Sequence, residues 1–306
     1  MDRRKLLKTC GFGLAAWLGI GLWRTFPLPP RPRLLEGAGV IHLMDAEYSL
    51  LDRQYATLAV IGSGILLLRN EDIEFYERKD TSRWDGSFER VLPAENLSKV
   101  QSFAFDPGGN LLFIADDALS QVTPDGKTEK LAELNHFHLS LAPGYEAGSV
   151  LLFGGHPMRD GGVLLRATGG TGTATVEGLA VFDGRARAAL DASDGTYVAL
   201  DSKIYQVIGS NQRLVFELSG ALAQHTQAGL GAPERLVSLA MSDDEKILFF
   251  STQDSIYALN GALAVPVARE LGGILQFRDG TLFVLDPNRQ VLLGITDVVE
   301  ALRKLV

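Results

Sequence analysis

Histidines are the side chains in this sequence best suited to hold a metal ion or move a proton. The chain has five, and His136 and His138 flank Phe137. In an extended strand, residues two apart point to the same side and lie about 7 Å apart along the strand. Together with His156 these two imidazoles form a weak candidate metal site. Because no carboxylate stands at a suitable spacing, the sequence favours solvent-facing or hydrogen-bonded histidines and predicts no bound metal.

Acidic and amide side chains recur at short turns. Asp106 and Asn110 enclose Pro-Gly-Gly, and Asp194 and Asp243 occupy corresponding turns further along the chain. Asp and Asn favour turns because their short side chains bond nearby backbone groups. We therefore expect a backbone role for them first. Asp106 and Asn110 are also weak candidates for contacting a ligand, as is Glu177, which begins the sequence Glu-Gly-Leu-Ala.

Compact catalytic motifs are missing from the sequence. It contains no Gly-x-Ser-x-Gly, His-Glu-x-x-His or Cys-x-x-Cys-His. Cys10 is the only cysteine, which excludes an intrachain disulfide and a cysteine-based zinc site. Catalytic residues therefore cannot be assigned from the sequence.

The segments that must position these residues repeat along the chain. From about residue 40, short apolar runs alternate with turns rich in Gly, Asp and Asn, as in 100–131, 186–216, 236–267 and 273–293. Each unit has a strand, a turn, a strongly apolar strand, a polar turn and an alternating strand, often followed by a fourth. Six units of about 44 residues fit residues 40–306, and four strands in such a period are typical of a β-propeller.

The predicted fold class is all-β, a six-bladed β-propeller over residues 40–306, with two sandwiches as the alternative. Sheets around an axis can bury faces that a single four-stranded sheet leaves open. We expect Ile41–Met44 to complete the last blade and close the ring. Apolar residues at helical spacing predict a short C-terminal helix over Asp297–Leu305. The alternative there is a final strand.

One unit carries a family resemblance. Residues 105–127, which contain FDPGGNLLFIAD and LSQVTPDGK, resemble a blade of the six-bladed propellers of the NHL and SMP-30-like type. The resemblance implies fold more than activity, since propellers host many functions. SMP-30-like lactonases hold a calcium ion at the end of the central channel. The resemblance therefore implies a calcium-dependent lactonase or esterase-like hydrolase as an alternative function, with Asp106, Asn110 and Glu177 as weak channel or loop candidates.

The first 26 residues are organised as an export signal or membrane anchor. They resemble the bacterial twin-arginine signal through Arg3, Arg4, Leu6, Leu7 and Lys8. The apolar run that follows has fifteen residues, from Thr9 to Trp23, whereas a membrane span needs about 20. A cleaved signal and an uncleaved N-terminal anchor helix both stay open. The resemblance implies the twin-arginine translocation machinery as a partner, and a periplasmic or inner-membrane-anchored location.

Charge distinguishes the N-terminal segment of the chain from the rest. Residues 1–33 carry seven basic side chains and one acid, so the remainder holds 22 of the 29 basic and 36 of the 37 acidic groups. An acidic body disfavours nonspecific nucleic-acid binding, because neutralising phosphates needs Lys and Arg. Residues 27–39 include four of the twelve prolines in Pro27–Pro32 and predict an extended linker.

These observations predict an exported or membrane-tethered propeller that acts as a non-catalytic binding or scaffold module. Its partner would be a protein or small ligand on a propeller face, and it would meet the membrane only through its N-terminus. No nucleic-acid partner and no cofactor are expected, with Ca²⁺ as the cofactor of the hydrolase alternative.

Overall fold

The structure of the protein is a computed structural model. It describes residues 32–49, 56–62, 64–69, 71–80, 84, 86, 88–91, 97, 99–123, 126–134, 138–156, 160–170, 172–218, 235–261 and 263–305. Contacts group Arg33–Val306 into one unit. The N-terminal signal or anchor helix predicted for residues 1–26 lies outside the described residues, and so do the prolines of Pro27–Pro30.

The described part of that unit consists of short antiparallel sheets and one helix. Two strands, β1 (Arg33–Leu34) and β2 (Gly39–Asp45), precede the repeating units. Blade 1 contains β3–β6: Thr57–Ile61, Gly64–Arg69, Asp72–Arg78 and Phe88–Val91. Blade 2 contains β7–β10: Val100–Phe105, Leu111–Ala115, Ala118–Val122 and Thr128–Glu133. Blade 3 contains β11–β14: Leu139–Pro143, Ser149–Gly155, Gly162–Gly170 and Thr173–Phe182.

The second half of the unit repeats the same plan. Blade 4 contains β15–β18: Ala188–Ala192, Gly195–Ala199, Lys203–Ile208 and Asn211–Glu217. Blade 5 contains β19–β22: Ser238–Met241, Leu248–Ser251, Ser255–Asn260 and Leu263–Arg269. Blade 6 begins with β23–β25: Ile274–Arg278, Thr281–Asp286 and Val291–Thr296. The first strand of each blade contacts the first strands of both neighbouring blades, which closes a ring in the order β3, β7, β11, β15, β19, β23. The predicted six-bladed propeller is thereby confirmed.

The N-terminal segment closes the ring. β2 pairs antiparallel with β25, with Gly39 opposite Thr296 and Asp45 opposite Val291, and it forms the fourth strand of blade 6. This confirms the closing role predicted for Ile41–Met44. β1, which lies in the segment assigned above to the linker, pairs with β22 and adds a fifth strand to blade 5. Among the described residues, the first strand that joins the propeller is therefore β1, at Arg33–Leu34.

Turn chemistry and burial explain why these segments form hairpins. Between β23 and β24, Asp279 and Gly280 both have positive φ, 50° and 74°. Two-residue hairpin loops favour such angles because they match the twist of the strands. The second strands are apolar on both faces, as predicted, and every residue of β24 is buried. Neighbouring sheets pack into one apolar core at each of the six blade interfaces.

Antiparallel order gives the disc two different ends. The turns between first and second strands lie at one end, defined here as the turn face, whereas the connections between blades lie at the other, the connection face. Helix α1 (Val298–Arg303) follows β25 at the turn face and buries Val298, Ala301 and Leu302, confirming the predicted helix. Among the described residues, no helix has the length and apolarity to cross a bilayer.

Candidate functional site

A central channel of about 900 Å³ runs between the first strands of the blades. Each blade contributes one apolar side chain near the turn-face end of its first strand: Ile61, Phe105, Pro143, Leu190, Met241 and Phe277. Towards the connection face the lining includes Thr57, Ser140, Arg187, Gln253 and Asn288. Asp106, one of the predicted channel candidates, and Arg278 also line the channel near the turn face. Both mouths therefore combine apolar and polar side chains.

Polar side chains on the first strands join neighbouring blades. Ser102 Oγ accepts a hydrogen bond from the Leu141 N–H at 2.9 Å, and Ser238 Oγ accepts one from the Leu275 N–H at 3.0 Å. Gln276 of blade 6 contacts Val60 of blade 1 twice, accepting from its N–H at 2.5 Å and donating to its carbonyl at 3.3 Å. These polar groups at the ring's centre thus have structural partners.

Asp106 and Asn110, two of the predicted candidates, do lie together. Asp106 Oδ1 accepts the Asn110 backbone N–H at 2.7 Å, and Oδ2 accepts the Asn110 Nδ2 amide at 2.8 Å. Asp106 Oδ2 also accepts the backbone N–H of Gly148, in the first turn of blade 3, at 3.1 Å. Asp106 therefore stabilises its own turn, as expected, and it also links blade 2 to blade 3.

Three more acids, two in first turns and one near the end of β15, connect neighbouring blades. Asp191 Oδ2 accepts the Tyr145 N–H at 2.9 Å and joins blade 4 to blade 3. Glu245 Oε2 accepts the Ser193 N–H at 3.0 Å, and Asp243 Oδ2 accepts the Gly280 N–H at 2.9 Å. We call Asp106, Asp191, Asp243 and Glu245 the turn-face acids. Together they link blades 2 to 6 in succession at the turn face, a role that sequence reasoning missed.

The histidine candidates do not assemble into a site among the described residues. His136 lies outside them, His138 is exposed at the start of blade 3, and His156 is partly buried after β12. In the described part of the chain, no group of three or more His, Cys, Asp or Glu side chains is placed to hold a metal ion.

The remaining candidates are far apart in the fold or outside the described residues. Glu177 is exposed on β14, the outermost strand of blade 3, opposite Arg166 on β13. It therefore belongs to the perimeter of the ring and does not line the channel. The export residues Arg3, Arg4, Leu6, Leu7 and Lys8 lie outside the described residues.

Two buried polar clusters carry shifted pKa values that the sequence did not indicate. Burial, together with the hydrogen bond that its hydroxyl donates to Asp194 Oδ2 at 2.8 Å, raises the pKa of Tyr197 to about 12. Burial also raises the pKa of Asp286, which accepts the N–H groups of Asn288 and Arg289. Since Asn288 lines the channel, Asp286 is a buried acid near the connection-face mouth. Its position in a local turn explains its contacts.

Blade 1 contains a buried ion cluster centred on Glu74. Arg69 Nη2 contacts this carboxylate at 2.7 Å, Arg90 Nη2 contacts it at 2.9 Å, and the Tyr76 hydroxyl donates to it at 2.7 Å. Burial and the bond to Glu74 raise the pKa of Tyr76. Two cations on one buried carboxylate form a structural network rather than an open reactive group.

Comparisons with known proteins extend the description of the fold. No family model and no curated protein matches this chain. The PQQ domain of pyranose dehydrogenase from Coprinopsis cinerea is similar at a TM-score of 0.59 and 8% identity, covering 88% of this chain and 98% of that one. A luciferin-regenerating enzyme is similar at a TM-score of 0.58 and 11% identity, over 85% and 95% of the two chains.

A further similar structure is the extracellular domain of a hybrid two-component system from B. thetaiotaomicron. It has a TM-score of 0.50 and 10% identity, over 78% of this chain. This chain spans only 32% of that domain. At such identities the similarity shows the fold class alone: this chain is a six-bladed β-propeller, a class whose members differ widely in function.

Proposed function

We propose that this protein is an exported or membrane-tethered, non-catalytic binding module that holds an extended segment of a partner protein along the outer edge of blade 3. The observation that carries the proposal is the surface of β14. This strand has ten residues, the longest in the described part of the chain, and its first nine positions are all exposed or intermediate in burial, so that only Phe182 is buried. An open strand edge is a ready template for pairing with another strand.

Apolar side chains make this edge unusual for a protein surface. Val176 and Val181 of β14 are 37% and 55% exposed, and Ile208 and Leu214 of the adjacent blade 4 are also exposed. The Gln212 side chain donates to the Val181 carbonyl at 3.3 Å, which brings the two blades together here. Exposed apolar groups that accompany an open edge favour a partner strand with apolar residues.

The chain itself shows that outer edges of this ring accept an added strand. β1 pairs antiparallel with β22, and Leu35 N–H continues the contact to the Val267 carbonyl at 2.8 Å. A partner strand on β14 would repeat this arrangement one third of the way around the ring. Export is supported by the twin-arginine-like signal, and the similarity to an extracellular domain agrees with it.

The test compares two outer strands by photo-crosslinking in the envelope of the producing bacterium. A crosslinking amino acid at position 181 should give one discrete adduct, and at position 263 of blade 5 it should not. Leu263 is the matched control because it is an apolar side chain, 74% exposed, on the outer strand of a different blade. The double variant Val176→Lys/Val181→Lys should weaken binding of the purified, identified partner about tenfold or more, whereas Leu263→Lys should not.

Equal adducts from both positions, or unchanged affinity in the double lysine variant, would overturn the edge proposal. Elemental analysis of the purified full chain distinguishes the hydrolase alternative. Stoichiometric calcium, together with lactone or ester hydrolysis that a chelator abolishes, would replace the binding proposal with the calcium-dependent enzyme.

A further inference from the structure

The interface between blades 2 and 3 differs from the other five in its side chains. Aromatic rings occur in the described cores at five interfaces, for example Phe103, Phe153, Phe249, Phe250 and Phe283. The described core between blades 2 and 3 contains only aliphatic side chains, such as Leu112, Leu119, Leu131 and Ala167. At this interface, aliphatic side chains occupy the core, whereas aromatic rings fill part of the core at the other five interfaces.

A cavity of about 220 Å³ lies at this interface, close to the turn face. Its walls are apolar and come from both blades, with Leu112, Leu119 and Leu131 on one side and Ala167 and Ala174 on the other. An apolar cavity of about 150 Å³ in another protein is large enough to bind benzene. This cavity therefore has room for one aromatic ring with a short substituent.

One end of the cavity is acidic and rich in hydrogen-bond acceptors. Asp106 lines it and is 4% exposed, and its carboxylate accepts three hydrogen bonds within the protein. An ionised carboxylate offers about four acceptor positions, so Oδ1, which accepts one of these bonds, can accept another. Gln121 also lines this end, and its amide nitrogen donates to Glu129 at 3.0 Å.

The charge at this end determines the kind of ligand. No Lys, Arg or His is among the described residues that line the cavity. A buried carboxylate without a cation is stabilised by a ligand that brings a positive charge and N–H donors, because charge-assisted hydrogen bonds are the strong ones. A ligand carboxylate or phosphate would instead meet repulsion from Asp106.

We propose that the cavity between blades 2 and 3 is a binding site for a small arylalkylamine, a single aromatic ring with a primary ammonium group. The ring packs against Leu112, Leu119 and Ala167, and the ammonium donates to Asp106 Oδ1. Such a ligand would supply the ring that this interface lacks. The inference does not depend on partner binding at β14.

Benzylamine is the probe for the test, titrated into the purified full chain and followed by calorimetry and by NMR. We expect saturable one-to-one binding with a Kd of about 1 mM or tighter, and nuclear Overhauser contacts from the ring to methyl groups of Leu112 and Leu119. Toluene, which lacks the ammonium, should bind about tenfold more weakly or worse.

Two variants separate the polar and apolar parts of the site. Asp106→Asn should weaken benzylamine binding about tenfold, whereas Asp243→Asn should not change it. Asp243 is the matched control because it is also a turn-face acid that accepts a neighbouring turn's N–H. Ala167→Leu should fill the cavity and abolish binding.

The proposal is overturned if benzylamine does not saturate, if Asp106→Asn binds it like the unmodified protein, or if toluene binds equally well. If Ala167→Leu does not fold, the Overhauser contacts in the unmodified chain still show where benzylamine binds. Contacts to residues of the central channel instead of Leu112 and Leu119 would also overturn it.

Discussion

Acidic residues at the first turns act between blades as much as within their own hairpins. Asp106 bonds Asn110 in its own turn and Gly148 in the next blade. Asp243 likewise reaches Gly280 of blade 6. A carboxylate suits this position because it can accept several N–H bonds at once. The turn-face acids therefore contribute to the rigidity of the ring.

Asp191 provides the sharpest test of this role. Its side chain is 3% exposed and accepts bonds from Arg166 at 2.8 Å, from the Thr196 hydroxyl at 2.6 Å and from the Tyr145 N–H at 2.9 Å. Asp191→Ala leaves the Arg166 charge without its partner, so we expect the free energy of unfolding to fall by about 3 kcal/mol. Denaturant titration of the purified protein measures this change.

Glu133 is the matched control, since its ion pair with Lys130 is exposed at the surface. Water and salt screen an exposed pair, so Glu133→Ala should leave the midpoint of the denaturant titration almost unchanged. If Asp191→Ala and Glu133→Ala have equal effects, the turn-face acids do not hold the blades together.

Closure by β2 is the decisive feature at the scale of secondary-structure elements. β2 supplies the fourth strand of blade 6, and its Leu43 is buried. β1 adds only two residues to blade 5. The two strands are adjacent in the chain, but we expect them to contribute differently to stability. Only β2 completes a four-stranded blade, and the closed ring depends on that blade.

Two truncations test this difference. A chain that starts at Gly39 lacks β1 and should keep its Tm within about 5 °C of the full unit. A chain that starts at Ala46 also lacks β2 and exposes the edge of β25, so its Tm should fall by about 10 °C or more. Differential scanning calorimetry measures both. Equal Tm values for the two truncations would show that β2 does not close the ring.

The order of strands within a blade was accessible from the sequence. Residues 100–131 gave the strand plan because alternation and turn residues are local signals. The same applies to α1, whose helical spacing lies within one short segment. β1 was not predicted, since Arg33 and Leu34 carry no alternation and their strand depends on a partner more than 230 positions away, near Arg269.

The proposed export concerns the whole molecule, because the twin-arginine route usually serves proteins that fold before crossing. The double variant Arg3→Lys/Arg4→Lys should reduce the amount reaching the periplasm about tenfold or more, since the arginine pair is the recognised feature of the signal. Immunoblots of cell fractions from the producing bacterium measure this. Arg31→Lys, outside the motif, is the control and should leave export unchanged. Equal export of both variants would contradict a twin-arginine signal.

The NHL or SMP-30-like type, the signal and the location stay predictions, whereas the propeller is established. The fold and the activity differ in the kind of sequence information on which each depends. Six repeats must stack to bury their apolar faces, so the ring follows from the repeat itself. A particular activity depends on a few side chains at one place. Glu177 illustrates the point: it was a channel or loop candidate, but it lies on an outer strand.

The sequence by itself determined the repeating strand plan, the closing strand and the terminal helix, because periodicity and turn residues act over a few positions. Only the tertiary structure decided that Asp106 meets Gly148 across 42 residues and that Asp243 meets Gly280 across 37. It alone also revealed the cavity between blades 2 and 3. Such contacts and spaces depend on the combined shape of two neighbouring sheets, and no local pattern encodes that shape.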